Sequence, residues 1–174
     1  MMWFVRARRS IPLVAMGAIV IASCAGDSVA TVPSECPTGD FLAAVGHYVP
    51  ESTFIDTPWE PAPDTDLKAV LDAGGVACSY GIQEAEVGAT VLWAMSAAIY
   101  ESRRAVWEVD GQERVDVAGA SEAWTLRETT GTERHLWTLN LRVDGVWIQI
   151  NATFLSDLEE AQPLVDAAIA VLRG

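Results

Sequence analysis

Few side chains in this 174-residue sequence are equipped for covalent chemistry: it carries 3 cysteines and 2 histidines among 24 acidic residues. Gly119-Ala-Ser121-Glu-Ala123 echoes the Gly-x-Ser-x-Gly of a nucleophile elbow, but that device needs a strand before the serine and a helix after it. The residues after Ser121 read as a strand, and only His47 or His135 could act as base. A turn entering a strand is the plainer account. His47 closes a short predicted helix, where a positive charge suits the dipole, and His135 opens a predicted hairpin; both read as structural or surface residues. Glu84/Glu86 and Glu159/Glu160 are paired carboxylates, as glycoside hydrolysis requires at a defined separation, yet 24 acids generate such pairs by chance. Asp64-x-Asp66 lacks the Gly and distal Glu of a calcium loop and reads as charge at a helix start. No catalytic set, metal site or cofactor is expected, and a hydrolase is the least favoured function.

The constellation that does point to a ligand is aromatic. Trp147 falls on the polar face of a predicted hairpin with Arg142, Asn140, Gln149 and Asn151. An indole flanked by amides could stack on a sugar or another polar ligand and hydrogen-bond its edge. Two plainer arrangements compete with it: Arg142 lying over Trp147 as a cation–π cover, or burial of the face beneath a helix.

Charge narrows the class of partner. The formal charge is −13, which argues against nucleic acid, because neutralising phosphates takes clustered cations. At 51% hydrophobic the chain is too apolar to stay disordered, and its length suits one domain. The N-terminus reads as an export address: Arg6, Arg8 and Arg9, then an apolar run from Ile11 to Ser23, shorter than the roughly 20 residues of a membrane span. The run ends in Ile21-Ala22-Ser23-Cys24, which resembles the bacterial lipobox. The resemblance implies cleavage before Cys24 and a diacylglyceryl thioether on its sulfur. Residues 1–23 are then a lipoprotein signal peptide, 24–33 a lipidated Cys with a flexible tether ending at Pro33, and 34–174 a single domain. Losing three arginines and no acid takes the net charge to −16. So acidic a surface is repelled by anionic headgroups, so the lipid must supply the anchoring. The expected location is the extracytoplasmic side of a bacterial cell membrane.

Export also decides how the other cysteines are read. In an oxidising compartment Cys36 and Cys78 pair by default. Two free thiols remain an alternative, and a metal pair would need further ligands. Glu35-Cys36-Pro37 before a short helix, a Gly-rich turn into Cys78-Ser-Tyr80, and Val117-Ala-Gly-Ala-Ser-Glu-Ala-Trp124 together resemble small Cys-paired lipoproteins of actinobacteria. The last stretch departs from that family's Gly-x-Gly-x-x-Ala by one glycine. The resemblance implies a PsbP-like fold and an envelope location, and no chemistry.

The elements that would position these residues follow from periodicity. Helices are predicted from Asp40 in Gly39–Val45, from an N-capping Thr65 to Ala73, and, with poorer periodicity, over 97–109. Strands are predicted at Val76–Ile82, Thr90–Ser96, Arg114–Val117 and Ala123–Glu128, with 49–63 a proline-rich loop. Asp144-Gly145 between alternating runs signals a two-residue type I′ hairpin. Its register sets Val143 opposite Val146, Leu141 opposite Ile148, Leu139 opposite Ile150 and Trp137 opposite Ala152, a wholly apolar face. Ser156–Arg173 is an amphipathic helix with Ser156 as candidate N-cap and Pro163 as candidate kink. The expected fold is α+β: an antiparallel sheet of four to six strands with helices, including the C-terminal one, on one face. The expected function is a non-enzymatic membrane-anchored lipoprotein binding a partner protein or a small envelope ligand such as a glycan or lipid. A purely structural envelope module is the alternative.

Overall fold

The computed structural model describes residues 30–130 and 134–174. The expected signal peptide, Cys24 and the expected tether up to residue 29 lie outside the described residues. The centre of the fold is one open, fully antiparallel sheet of seven strands. In chain order these are β1 (Thr53–Ile55), β2 (Val76–Ile82), β3 (Val87–Ala94), β4 (Glu113–Val115), β5 (Glu122–Thr130), β6 (Arg134–Val143) and β7 (Val146–Ala152). The spatial order is β1-β2-β3-β7-β6-β5-β4. Two meanders thus meet where β3 pairs β7. Among the described residues there are four α-helices: α1 (Asp40–Tyr48), α2 (Asp66–Asp72), α3 (Ala97–Val109) and α4 (Gln162–Ala170).

The expected α+β class and antiparallel sheet hold, with more strands than the four to six anticipated. The strand absent from the sequence reading is β1, within the 49–63 loop. Three residues among prolines carry too little alternation to be seen, and pairing with Ser79–Gly81 is what makes them a strand. The hairpin register agrees residue for residue with expectation, from Val143↔Val146 to Trp137↔Ala152. Asp144 and Gly145 both take positive φ, 48° and 83°, the twist that a type I′ turn requires and that glycine adopts without a Cβ clash.

The layering differs from expectation. Helices were expected on one face, and they occupy both. On one face α1 and α4 pack Phe41, Val45, Leu164, Val165 and Ala168 against Val91, Trp93, Leu141, Ile148 and Ile150. On the other, α2 and α3 pack Val70, Tyr100 and Trp107 against Ala77, Leu92, Ala94 and Trp147. The reason lies in β3, whose Val91-Leu92-Trp93-Ala94 run is buried throughout. A strand apolar on both faces needs cover on both. Trp147 extends that second apolar patch from β3 onto its neighbour β7.

Local signals explain the helix starts. Thr65 Oγ1 accepts from Lys68 N–H at 3.2 Å and Ser96 Oγ from Ile99 N–H at 3.2 Å, so each caps its helix. The C-terminal segment opens differently from expectation. Asp157 Oδ1 accepts from Glu160 N–H at 3.1 Å, while Glu160 Oε2 accepts from Ser156 N–H at 2.7 Å. Ser156 is therefore a donor in this reciprocal cap and not the cap itself. A 3-10 turn at Glu159–Ala161 leads into α4, and Pro163 sits in the first turn, where its missing N–H has no bond to lose; it makes no kink.

Packing begins before Ser34, where the domain was expected to start. Ala30 is buried and Thr31 N–H donates to Leu172 O at 3.1 Å. Cys36 and Cys78 are joined, with Cα atoms 5.6 Å apart and a sequence separation of 42. The bond ties the segment entering α1 to β2, and Tyr80 Oη donating to Pro37 O at 2.6 Å reinforces the tie. In the chain-entropy account a loop of this size contributes about 4 kcal/mol. Replacing both cysteines by serine should lower the thermal midpoint by several degrees in circular-dichroism melts. An unchanged midpoint would mean that the crosslink does not constrain the unfolded chain.

Candidate functional site

The five residues of the possible ligand face do not form an open platform; they are largely covered, as in the plainer arrangement that buries the face beneath a helix. Asn140, Trp147 and Gln149 are buried, and Arg142 and Asn151 are partly so. The cover has a specific cause: α2 and α3 lie on this end of the sheet and a polar network joins the two layers. Asp66, the first residue of α2, accepts from Arg103 Nε, from Trp107 Nε1 at 2.9 Å and from Gln149 Nε2. Gln149 Nε2 also donates to Asn140 Oδ1 at 3.0 Å, which accepts from Trp147 Nε1 at 3.0 Å as well. Asn140 Nδ2 reaches Gln112 Oε1 at 3.0 Å. The amides thus hold helices to the sheet, as buried polar groups must be paired. Arg142 does not cover Trp147. Its guanidinium lies 6.0 Å from the Tyr100 ring centroid and binds Glu101 at 2.7 Å. Burial, and then Glu122 nearby, holds the Tyr100 phenol above its usual range.

Beyond the helices the same face stays open. One residue each from β2, β3, β7 and β6 forms a row straight across the sheet: Ser79, Thr90, Asn151 and Thr138. Ser79 Oγ and Thr90 Oγ1 lie 3.3 Å apart, and Thr138 Oγ1 donates to Asn151 Oδ1 at 2.9 Å. Three of the four, all but Thr138, line a shallow groove of about 270 Å³, with Ile55, Leu136 and Thr153 beside them. Of the expected ligand face, Asn151 alone lines this groove.

The other sheet face carries a roomier feature that sequence reasoning missed. Layer α1–α4 stops short of β4 and β5. The gap is a cleft of about 540 Å³ walled by Val115 and Val117 on one side and Leu158, Ala161 and Val165 on the other, with Leu139 as floor. Gln162 Nε2 donates to Ala118 O at 3.3 Å and to Asp166 Oδ1 at 2.8 Å, clasping the segment after β4 to α4. Asp116 and Glu159 are the acidic residues of the lining, and both are exposed. A smaller hollow of about 350 Å³ shares Val115 and Leu158 with the cleft and adds Glu113, Thr125, Arg127 and Trp137. Arg127 lies over the Trp137 ring at 5.6 Å. Val115 and Val117 stood in the sequence as one short extended piece; only the separation of α4 from β4 turns them into a wall.

The remaining candidates are dispersed. Ser121 Oγ donates to Arg142 O at 3.0 Å and precedes β5, as a turn residue does. His47 packs edge-on to Tyr48, and His135 lies 3.4 Å from Thr129 Oγ1. Glu84 lies in the turn between β2 and β3, and Glu86 follows it in the left-handed conformation, φ 51°. Among the described residues no three His, Cys, Asp or Glu side chains gather as metal ligands, and no helix is long and apolar enough to cross a membrane.

Comparison of the sequence with protein-family models and with curated proteins gives no match to either.

The Asp66 network makes a measurable claim. Its carboxylate is 14% exposed and the Arg103 side chain 17%. Asp66→Ala takes the carboxylate from three donors, one of them the Arg103 cation, in a nearly closed site, at a cost of about 3 kcal/mol. Asp66→Asn keeps the shape but loses the charge and should fall between. Urea midpoints of the three proteins check the order, and an Ala variant as stable as wild type would show that water replaces the carboxylate.

Proposed function

We propose that the chain is a membrane-anchored extracytoplasmic lipoprotein that acts by binding, without catalysis, and that the cleft between α4 and the segment after β4 is its ligand seat. The observation that carries the second half is the cleft itself. Its volume of about 540 Å³ lies in the range of small-molecule sites, twice that of the groove on the other face. Its walls are aliphatic, and no serine, cysteine or histidine lines it. The first half rests on Arg6, Arg8, Arg9, the apolar run and Ile21-Ala-Ser-Cys24. One acyl chain binds membranes reversibly, whereas two or more hold. Packing from Ala30 onward leaves residues 25–29 as the link, about 20 Å at full extension. The domain would ride close to the bilayer, held by lipid against its own negative charge.

A second reading, a structural envelope module that binds nothing small, draws on one specific observation. The polar residues that suggested a ligand platform are engaged in docking helices, through Asp66 and Asn140.

Two measurements test these readings. Wild-type protein in native membranes should partition into detergent and take up labelled fatty acid, and Cys24→Ala should be soluble or unprocessed and unlabelled. A Cys24→Ala protein that partitions unchanged overturns the anchor. Dodecyl maltoside, a neutral single-chain probe used below its micelle concentration, should bind the domain and be rejected by Val117→Trp, which fills the cleft. If wild type does not bind it, the cleft is no ligand seat and the structural module stands.

A further inference from the structure

We infer that the cleft beside α4 takes a small amphiphile of one chemical class: a flexible aliphatic chain ending in a cationic head, such as an alkylammonium or alkylguanidinium group. The inference rests on the reading of this cleft as a ligand seat and adds the chemistry of the occupant.

Three features of the walls define it. First, the interior is aliphatic, built from Val115, Val117, Leu139, Leu158, Ala161 and Val165. Branched and unbranched alkyl surface suits a flexible chain, whereas planar ligands are held by aromatic faces. Second, the uncharged polar side chains of the cleft and of the adjoining hollow already point inward to the protein. Thr125 Oγ1 donates to Thr138 O at 3.1 Å, Trp137 Nε1 to Leu155 O at 3.1 Å, and Gln162 Nε2 to Ala118 O and Asp166. A bound peptide segment would bury amide groups with no partners to meet them, which is costly; an alkyl chain has none to lose. This favours a small amphiphile over a polypeptide. Third, the charges of the main cleft have one sign. Asp116 and Glu159 both line it and no basic residue does. Neither makes an ion pair among the described residues. The surrounding surface strengthens their field, since the chain carries −13 overall and such a surface concentrates cations while repelling anions. Arg127 is the competing head-group partner, but it lies in the adjoining hollow with Glu113 beside it and already stacks on Trp137.

The test keeps the chain constant and changes the head. Isothermal titration calorimetry of the folded domain would compare dodecyltrimethylammonium, dodecyl maltoside and laurate, each below its micelle concentration. The expected order is the cation tightest, the neutral probe weaker and laurate weakest. Asp116→Asn with Glu159→Gln should weaken the cation by about two- to tenfold, in the range for two exposed charge pairs, and leave dodecyl maltoside unchanged. Asp56→Asn with Glu84→Gln removes the same charge at the opposite sheet edge and should change little, which separates the site from general attraction. Raised salt should shrink the cation's advantage. If laurate binds tightest, or if both double variants weaken the cation equally, the cationic head is wrong while the cleft survives through the neutral probe. If a lysine-and-leucine peptide outcompetes the alkyl cation, the occupant is a polypeptide and the inference falls. If dodecyl maltoside does not bind, the cleft reading fails with it.

Discussion

A single carboxylate, Asp66, organises one whole side of this domain. Standing at the first turn of α2, where the helix dipole favours negative charge, it accepts from Arg103 and Trp107 of α3 and from Gln149 of β7. Three elements far apart in sequence therefore share one anchor. A buried ion pair of this kind contributes little net stability compared with apolar packing of the same shape. What it supplies is position: α2 and α3 can satisfy its donors in one arrangement only. The amide chain from Gln149 to Asn140 to Trp147 and Gln112 then extends that arrangement across the sheet.

From that anchor the distribution of open and closed surface follows. With α2 and α3 locked on one end of the face, the uncovered end keeps only the shallow Ser79–Thr90–Asn151–Thr138 row. On the opposite face α1 and α4 close over β2, β3 and β7, and the disulfide with Tyr80 holds the entering segment down. Whereas α3 reaches β5, with Arg104 3.7 Å from Glu122, the α1–α4 layer leaves a gap at the β4–β5 edge. The clasp of Gln162 on Ala118 bridges this gap without filling it, and the cleft is what remains. The cleft is thus an accident of coverage: α4 is nine residues long and a seven-stranded sheet is wider than two helices.

The chemistry is unevenly spread in a way that fits this picture. Apart from the Tyr100 hydroxyl, the buried polar side-chain atoms of the described residues are hydrogen-bonded, while most of the acidic residues face solvent. A protein so arranged discriminates by shape and by the sign of its surface more than by directed hydrogen bonds. Anchoring by lipid would suit the same surface, since charge offers it no hold on anionic headgroups.

How much of this was legible in advance depends on range. The Asp144-Gly145 turn carries its own backbone requirement, so four residues determine the hairpin register over fourteen, and the structure agrees with every pair. The cap at Thr65 is likewise a local oxygen-to-amide bond, whereas Ser96, expected at the end of a strand, lies beyond β3 and caps α3. The two downstream cysteines could be read as partners because the N-terminal address implies an oxidising compartment. What the chain alone could not decide is which surface is covered. Trp147, Asn140 and Gln149 have the same pattern whether a helix or a ligand lies over them, because alternation says which side of a strand a residue takes and nothing about what arrives there. The apolar β3 run was the one sequence clue to cover on both faces. The cleft had no clue at all: Val115, Val117, Leu158 and Val165 become neighbours only when β4 takes the far edge and α4 returns along the sheet, and the distance between those two elements is a tertiary quantity.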